Sequence, residues 1–358
     1  MENLLLTFIF LGVLFFLLGS GVWVGLSLLG VALVGMELFT SRPAGDAMAT
    51  TIWSASSSWT LTALPLFIWM GEILFRTRLS EDLFKGLSPW LGFLPGRLLH
   101  VNVAGCALFA AISGSSAATV ATVGKMSIPE LRRRGYPENM IIGTLAGAGT
   151  LGLLIPPSII LIVYGVTVNE SIAGLFMAGV FPGVMLALLF MGYIFLRAVL
   201  QPQSMPARGT AEGFFRTVRD SFSLLPVVLL ILAVLGSIYA GIATATEAAV
   251  LGVVGALVMS AVQGSLTRES FVESLMGATR TSCMIALILA GAKFLTLAMG
   301  FTGLPRELAA WIGSLELSPL ALIAALTLFY IVLGCFLDGI SAVVLTMAVV
   351  EPMVRQAG

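Results

Sequence analysis

Apolar residues run along this chain in long blocks separated by short polar stretches. A helix crossing the hydrocarbon core of a bilayer needs about 20 consecutive apolar residues. On that criterion the blocks predict spans at about 3–19, 22–40, 59–76, 139–166, 172–197, 223–242, 245–263 and 281–300, with a further apolar run at about 317–350. A polar, Ser-rich stretch occupies Thr40 to Ser58, and 198–222 is the long polar loop. Residues 77–97 alternate charge with Leu, Phe and Trp, the pattern of an amphipathic arm at the interface; a shorter piece of the same kind covers 304–315. The block 98–126 differs from all of these. It is apolar at both ends and carries Ser113-Gly-Ser-Ser116 at its centre.

Composition sharpens this pattern. Of 358 residues, 58% are hydrophobic and 10% charged, and the mean hydropathy is +1.06. A soluble domain is roughly 25% charged. The expected fold class is therefore an all-α polytopic membrane protein. Basic and acidic side chains balance at 18 each, so no basic face is available for nucleic acid. His100 is the only histidine, and no Ser/His or His/Glu constellation or second aspartate beside Asp338 exists for catalysis; the chain is not expected to be an enzyme. Cys106, Cys283 and Cys335 lie far apart in apolar runs and are expected to be small core residues. Met1-Glu2-Asn3 offers no positive region before the first block, which argues for a retained first span rather than a cleaved signal.

Charge placement sets an orientation. With the N-terminus outside, cytoplasmic loops and span ends hold fourteen basic residues, including Arg76, Arg97, Lys125 and the run Arg132-Arg133-Arg134; Arg42, Arg306 and Arg355 lie outside, and Lys293 falls within a span. This assignment requires 98–126 to enter the bilayer and return to the same side. The central Ser/Gly run favours a return, because hydroxyls bond backbone groups and Gly is conformationally free. The competing reading is a small-residue packing face in an ordinary bundle.

The second half echoes the first. Arg78-Leu-Ser-Glu-Asp-Leu83 resembles Gly303-Leu-Pro-Arg-Glu-Leu308 at an offset of 225, and Asp338-Gly-Ile-Ser341 interrupts the last apolar run. Span counting puts the first amphipathic arm inside and the second outside, so the halves are inverted. Inverted repeats with a broken apolar segment in each half point to the substrate site of a secondary transporter. The expected organisation is 1–58 as N-terminal scaffold spans and 59–200 as a first inverted repeat with hairpin 98–126. Then come a cytoplasmic loop at 201–222, scaffold spans at 223–280, and a second inverted repeat at 281–358 that stops at its hairpin.

The first candidate site pairs the Ser113–Ser116 interruption with Gly152-Leu-Leu-Ile-Pro-Pro-Ser158. Pro156 and Pro157 remove two backbone donors and free upstream carbonyls. Freed carbonyls and serine hydroxyls are hard oxygen ligands suited to Na⁺. A helix starting near Ser116 would turn its positive end towards an anion. The second candidate site runs from Gly334 to Ser341 and contains Asp338, an acid within a span. Candidate substrate-binding residues are Ser115, Ser116, Thr119, Asp338 and Ser341. Glu247 is read either as a helix cap or as a functional acid. Glu72 and Lys293 pair with each other, pair elsewhere or snorkel. Trp53, Trp59 and Trp69 are read as interface or packing residues, and the arginine run as a topology anchor.

Phe109-Ala-Ala-Ile-Ser-Gly-Ser-Ser-Ala-Ala-Thr119, Ile128-Pro-Glu-Leu131 with Gly135-Tyr136, and Gly152-Leu-Leu-Ile-Pro-Pro-Ser158 together resemble the large membrane subunit of the tripartite ATP-independent periplasmic (TRAP) transporters, the DctM-like permeases. Ala243-Thr-Ala-Thr-Glu-Ala-Ala249 is similar to that family's Thr-Pro-Thr-Glu-Ala-Ala segment, with Ala245 where proline is usual; Leu337-Asp-Gly339 with Pro352 is similar to its second hairpin. The resemblance implies an elevator-type permease in a bacterial inner membrane. Its partners would be a small four-helix membrane subunit and a periplasmic solute-binding protein that delivers an organic acid such as a C4-dicarboxylate or a sialic acid. Na⁺ would be the coupling ion, with no covalent cofactor. It further implies a first Na⁺ site of Ser113 with backbone around Gly152, Ile155 and Pro157, and a second site including Gly334. Family members often carry serine where this chain has Ala110, so one hydroxyl is absent here. The family pattern continues past its second hairpin to a Thr-Pro-Pro span, so about 60–70 further residues are expected and this sequence reads as a fragment. Alternative readings are another inverted-repeat anion/Na⁺ symporter that needs no binding protein, and a channel-like pore subunit.

Overall fold

The apolar blocks are rich in Leu, Val and Ala, whose side chains offer the backbone no competing hydrogen bonds. In hydrocarbon each N–H and C=O must be satisfied within its own segment, and an α-helix does that. The computed structural model, which describes residues 2–77, 79–206, 218–219, 221–303, 318–335 and 337–357, is built of α-helices and short 3₁₀ turns, with no strand among the described residues. The 304–315 amphipathic piece and residues 207–217 and 220 of the polar loop lie outside the described residues.

The helices are α1 (Glu2–Gly19), α2 (Val24–Phe39), α3 (Ala44–Ser56), α4 (Ala63–Phe75), α5 (Leu79–Leu91), α6 (Leu99–Ser113), α7 (Ser116–Arg133), α8 (Glu138–Gly149), α9 (Leu151–Leu154), α10 (Ile159–Val168) and α11 (Ile172–Leu200). They continue as α12 (Leu225–Tyr239), α13 (Ala245–Val262), α14 (Arg268–Thr302), α15 (Pro319–Gly334) and α16 (Gly339–Ala357). Among the described residues, five segments are long and apolar enough to cross a membrane, and the bent pair Ala44–Ser56 with Trp59–Phe75 makes a sixth. Their outward faces are apolar too: Phe181, Leu188, Leu232 and Val262 are exposed. Water would penalise such a surface, whereas lipid does not. The chain is an all-α, multi-pass membrane protein.

The polar, Ser-rich stretch is largely helical, as α3. One sequence expectation needs correction. The span expected at 281–300 is the second part of a 35-residue helix that starts at Arg268. Its start is set by Thr267 and Ser270, which exchange N–H···Oγ bonds of 2.9 and 3.1 Å and so satisfy two amides that lack helical partners.

The chain separates into two compact units. One comprises Thr62–Ile162 and Ser171–Arg280. Here α4 packs on α13, with Met70 against Gly252, and Phe67 meets Phe176 edge-on at 6.0 Å between ring centroids. Glu72 pairs with Arg76 one turn on, at 2.5 Å, and Arg76 also reaches Glu273 at 3.5 Å. Glu72 is thereby assigned a partner within its own unit. Trp69 donates to Ser274 Oγ at 3.3 Å and stacks edge-on against Phe271, a packing role. Trp53 and Trp59 are exposed, as interface residues would be. The other unit comprises Met1–Leu61, Val163–Glu170 and Thr281–Gly358. In it α1 packs on α2 with Phe10 against Gly35, and Tyr330 bonds Thr346 at 2.6 Å between α15 and α16. Cys106 is buried, but Cys283 and Cys335 are exposed, contrary to the core expectation for all three. An apolar outer surface removes the pressure to bury a thiol.

A candidate ion and substrate site at the helix breaks

The first break is a helical hairpin. α6 ends at Gly114, which takes a left-handed conformation (φ 58°) and donates its N–H to Ala110 O at 3.0 Å. Glycine adopts that geometry without steric cost. Ser115 then caps α7, its Oγ accepting from Ala118 N at 3.5 Å. α7 runs back along α6, and Gly105 faces Val123 across the hairpin. The interruption therefore falls where the Ser/Gly run predicts it.

The tip holds a compact group of oxygens. Thr119 Oγ1 donates to Ser115 O at 2.7 Å, Ser113 Oγ lies 3.0 Å from Thr119 Oγ1, and Ser113 Oγ donates to Ser115 O at 3.3 Å. Ser113 is 5% exposed and Thr119 0%. Two hydroxyls and one carbonyl, all uncharged, thus lie within hydrogen-bonding distance of one another. Among the described residues there is no group of three or more His, Cys, Asp or Glu that could hold a metal ion.

The proline break closes onto this tip. After α9 the chain passes through Ile155 and the cis-linked Pro156-Pro157 to α10. A Cβ on Gly152 would lie 2.7 Å from Ser115 C and O and 2.9 Å from Ser116 N, so only glycine fits. A Cβ on Gly114 would lie 2.7 Å from Pro157 O. Ile159 N donates across to Gly114 O at 3.3 Å. The structure thus assembles Ser113, Ser115, Ser116, Thr119, Gly152 and Pro157 in one place. Ile155 contributes its N–H to Leu151 O at 2.8 Å, while its side chain packs on Gly183 of α11.

The sequence reading omits Gly71 altogether, and includes Ser158 in the candidate site without a role. Gly71 of α4 lies against the tip: a Cβ there would be 3.0 Å from Ser113 Cα. A lone glycine inside an apolar span carries no readable signal of that contact. Ser158 is fully buried and donates to Leu153 O at 2.5 Å. Its signal was its place directly after two prolines.

The second break belongs to the other unit. α15 ends at Gly334 and α16 begins at Gly339. Asp338 Oδ2 accepts from Ile340 N at 3.1 Å and Ser341 N at 3.2 Å, so the carboxylate caps α16. Ser341 is 2% exposed, and its Oγ has no protein partner among the described residues. Glu247 forms a capping box with Thr244 at the start of α13, which settles its local role as structural. Lys293 is half-buried, with no ion pair among the described residues.

The turn joining α7 to α8 anchors the hairpin base. Arg132 pairs with Glu138, and Arg133 and Arg134 pair with Glu130 at 2.8 and 2.6 Å. Partial burial of Glu130 favours its neutral form, but the bonds from Arg134 and Arg133 outweigh it and hold the carboxyl below its usual range. Burial raises the Tyr136 phenol above its ordinary value, against a lowering bond from Leu98 N–H.

Comparison with known proteins agrees with this architecture. A family model described as the DctM component of the tripartite ATP-independent periplasmic transporter matches residues 11–358. The chain is 31% identical over 313 residues to the C4-dicarboxylate TRAP transporter large permease protein DctM of Pseudomonas aeruginosa, covering 87% of this chain and 72% of that protein. It is 31% identical over 346 residues to the sialic acid TRAP transporter large permease protein SiaM of Vibrio cholerae, covering 96% of this chain and 79% of that one. It is also 31% identical to the isethionate TRAP transporter permease protein DctMQ of Oleidesulfovibrio alaskensis, with 96% of this chain covered but only 54% of the relative. These relatives are permease subunits of transporters, not enzymes. With residues 11–358 matched by the family model and relatives 31% identical over most of its length, the chain belongs to the DctM family of TRAP transporter large permeases.

Proposed function

We propose that this chain is the permease of a Na⁺-coupled secondary transporter that imports a small organic acid across a bacterial inner membrane. Its partners are a small four-helix membrane subunit and a periplasmic solute-binding protein that delivers the acid. The observation that carries the proposal is the closure of the 152–159 segment onto the Ser113–Thr119 tip, which gathers neutral oxygens without any charged ligand. Na⁺ is held by Ser113 and Thr119 hydroxyls with backbone around Ser115, Gly152, Ile155 and Pro157. A bound cation lowers the cost of bringing a carboxylate to the N-terminus of α7, where Ser115 and Ser116 meet it. Asp338 and Ser341, with Gly334, form the corresponding second site. The substrates in the names of these three relatives, a C4-dicarboxylate, a sialic acid and isethionate, are small organic anions, which supports the substrate class.

In this reading 59–200 and 281–358 are inverted repeats that carry the sites, and 1–58 and 223–280 are scaffold spans, with the N-terminus outside. Transport proceeds by an elevator motion of the site-bearing part. The intact complex in proteoliposomes tests the coupling. Uptake of an organic acid presented on its binding protein is expected only with an inward Na⁺ gradient, and equal uptake under a K⁺ gradient would overturn it.

A further inference from the structure

Each proline at the first break strips one carbonyl of its helical donor. Pro157 has no N–H for Leu153 O, and Pro156 none for Gly152 O. The two carbonyls have different fates. Ser158 Oγ donates to Leu153 O at 2.5 Å from a fully buried position. No hydroxyl replaces the missing donor of Gly152 among the described residues. The next residue turns the other way, as Ile159 N donates to Gly114 O at 3.3 Å. Ser158 and Ile159 thus stitch the break at two points, back to α9 and across to the hairpin tip.

We infer that Ser158 is a positioning residue for the cation site, an inference that rests on the Na⁺ reading above. Its hydroxyl removes the Leu153 carbonyl from the pool of free ligands. It also fixes the spacing between α9 and α10, and with it the seat of Gly152 against Ser115 and Ser116. Without the hydroxyl, Leu153 O is a part-buried acceptor in need of a donor, and the 152–157 backbone must shift to find one. In this role Ser158 acts through the backbone that it holds by its bond to Leu153 O. Outer partners of this kind tune ion affinity when they are lost.

The test uses the intact permease complex in detergent and follows its unfolding temperature as NaCl replaces choline chloride at constant ionic strength. Na⁺ is expected to stabilise the wild type, because an ion that binds only the folded state raises its stability. Ser158→Ala is expected to need about tenfold more Na⁺ for half the effect, and Ser158→Thr, which keeps a hydroxyl, to return towards wild type. A serine with only a packing role would lower the unfolding temperature of Ser158→Ala equally at every Na⁺ concentration and leave the midpoint unmoved; that result overturns the inference. If Ser158→Ala does not fold, Ser158→Cys replaces it: its weaker donor should give an intermediate midpoint, and a wild-type midpoint would again overturn the inference. Absence of any Na⁺ stabilisation in the wild type removes the cation reading itself, so the two failures are distinguishable.

Discussion

The two helix breaks solve one problem in different ways. At the first, between α6 and α7, no charged group takes part. Gly114 turns the chain, a neutral serine caps α7, and a second broken segment closes the gap by backbone contact. At the second, between α15 and α16, a carboxylate from the break itself caps the following helix through two N–H groups. The difference bears on anion binding. The N-terminus of α7 keeps its positive end uncompensated by charge, while that of α16 already has Asp338. A carboxylate substrate is therefore expected to meet α7 directly, and to meet α16 only through donors other than those Asp338 has taken. A break held by packing is also sensitive to volume, whereas a break held by a cap is sensitive to chemistry.

The largest effect that breaks this comparison is expected from Gly152→Ala. Its Cβ would meet the Ser115 backbone at 2.7 Å, and backbone cannot step aside as a flexible side chain can. Overpacking of this kind costs about 1–3 kcal/mol, and uptake in proteoliposomes should be abolished even where the protein still folds. Substitution of a buried glycine with room for a methyl, such as Gly105→Ala, whose Cβ would meet Val123 at 3.6 Å in ordinary van der Waals contact, should leave uptake measurable. Next in size, Ser113→Ala removes one hydroxyl of the oxygen group. The half-saturating Na⁺ concentration for uptake is expected to rise about tenfold or more; an unchanged value would exclude Ser113 as a ligand.

Asp338→Asn sharpens the other side. Asparagine caps a helix nearly as well as aspartate, so the loss of stability should be at most about 1 kcal/mol, read from thermal unfolding. A loss of uptake far beyond that change would place the Asp338 charge in transport rather than in capping alone. The smallest effect is expected at Thr244→Ala, which opens the capping box of α13. It should cost about 1 kcal/mol of stability, with no change in the Na⁺ dependence of uptake, because the box is closed between Thr244 and Glu247 themselves.

Legibility in the sequence followed the range of the physical signal. Gly114 and the serines around it announced a helix interruption, because Ser and Gly act on their own backbone. Pro156 and Pro157 announced a second one for the same local reason. The pattern Thr244-x-x-Glu247 was a capping box in plain view, yet Glu247 was left between two roles, since an acid near a span start also fits a functional site. The start of α14 was placed too late because Thr267 and Ser270 were not weighed as caps. Glu72 and Arg76, four residues apart on one helix, were pairable from spacing, but Arg76 had been assigned to topology. Cys283 and Cys335 were misplaced by a rule for aqueous surfaces applied to an apolar one.

The sequence alone determined that the chain is helical and membrane-spanning, where its helices are interrupted, and which family it resembles. Each of these follows from apolar block length or from residues that act on their immediate neighbours. The tertiary structure alone decided that the two interruptions of the first half meet, with Gly152 on Ser115 and Ile159 on Gly114. It also decided that Thr119 lies beside Ser113, and that Gly71 backs the tip from a helix some forty positions earlier. Such contacts join residues distant in the chain through backbone and small side chains. A glycine carries the same letter whether it meets another backbone or open lipid, so only the folded neighbours show which it is.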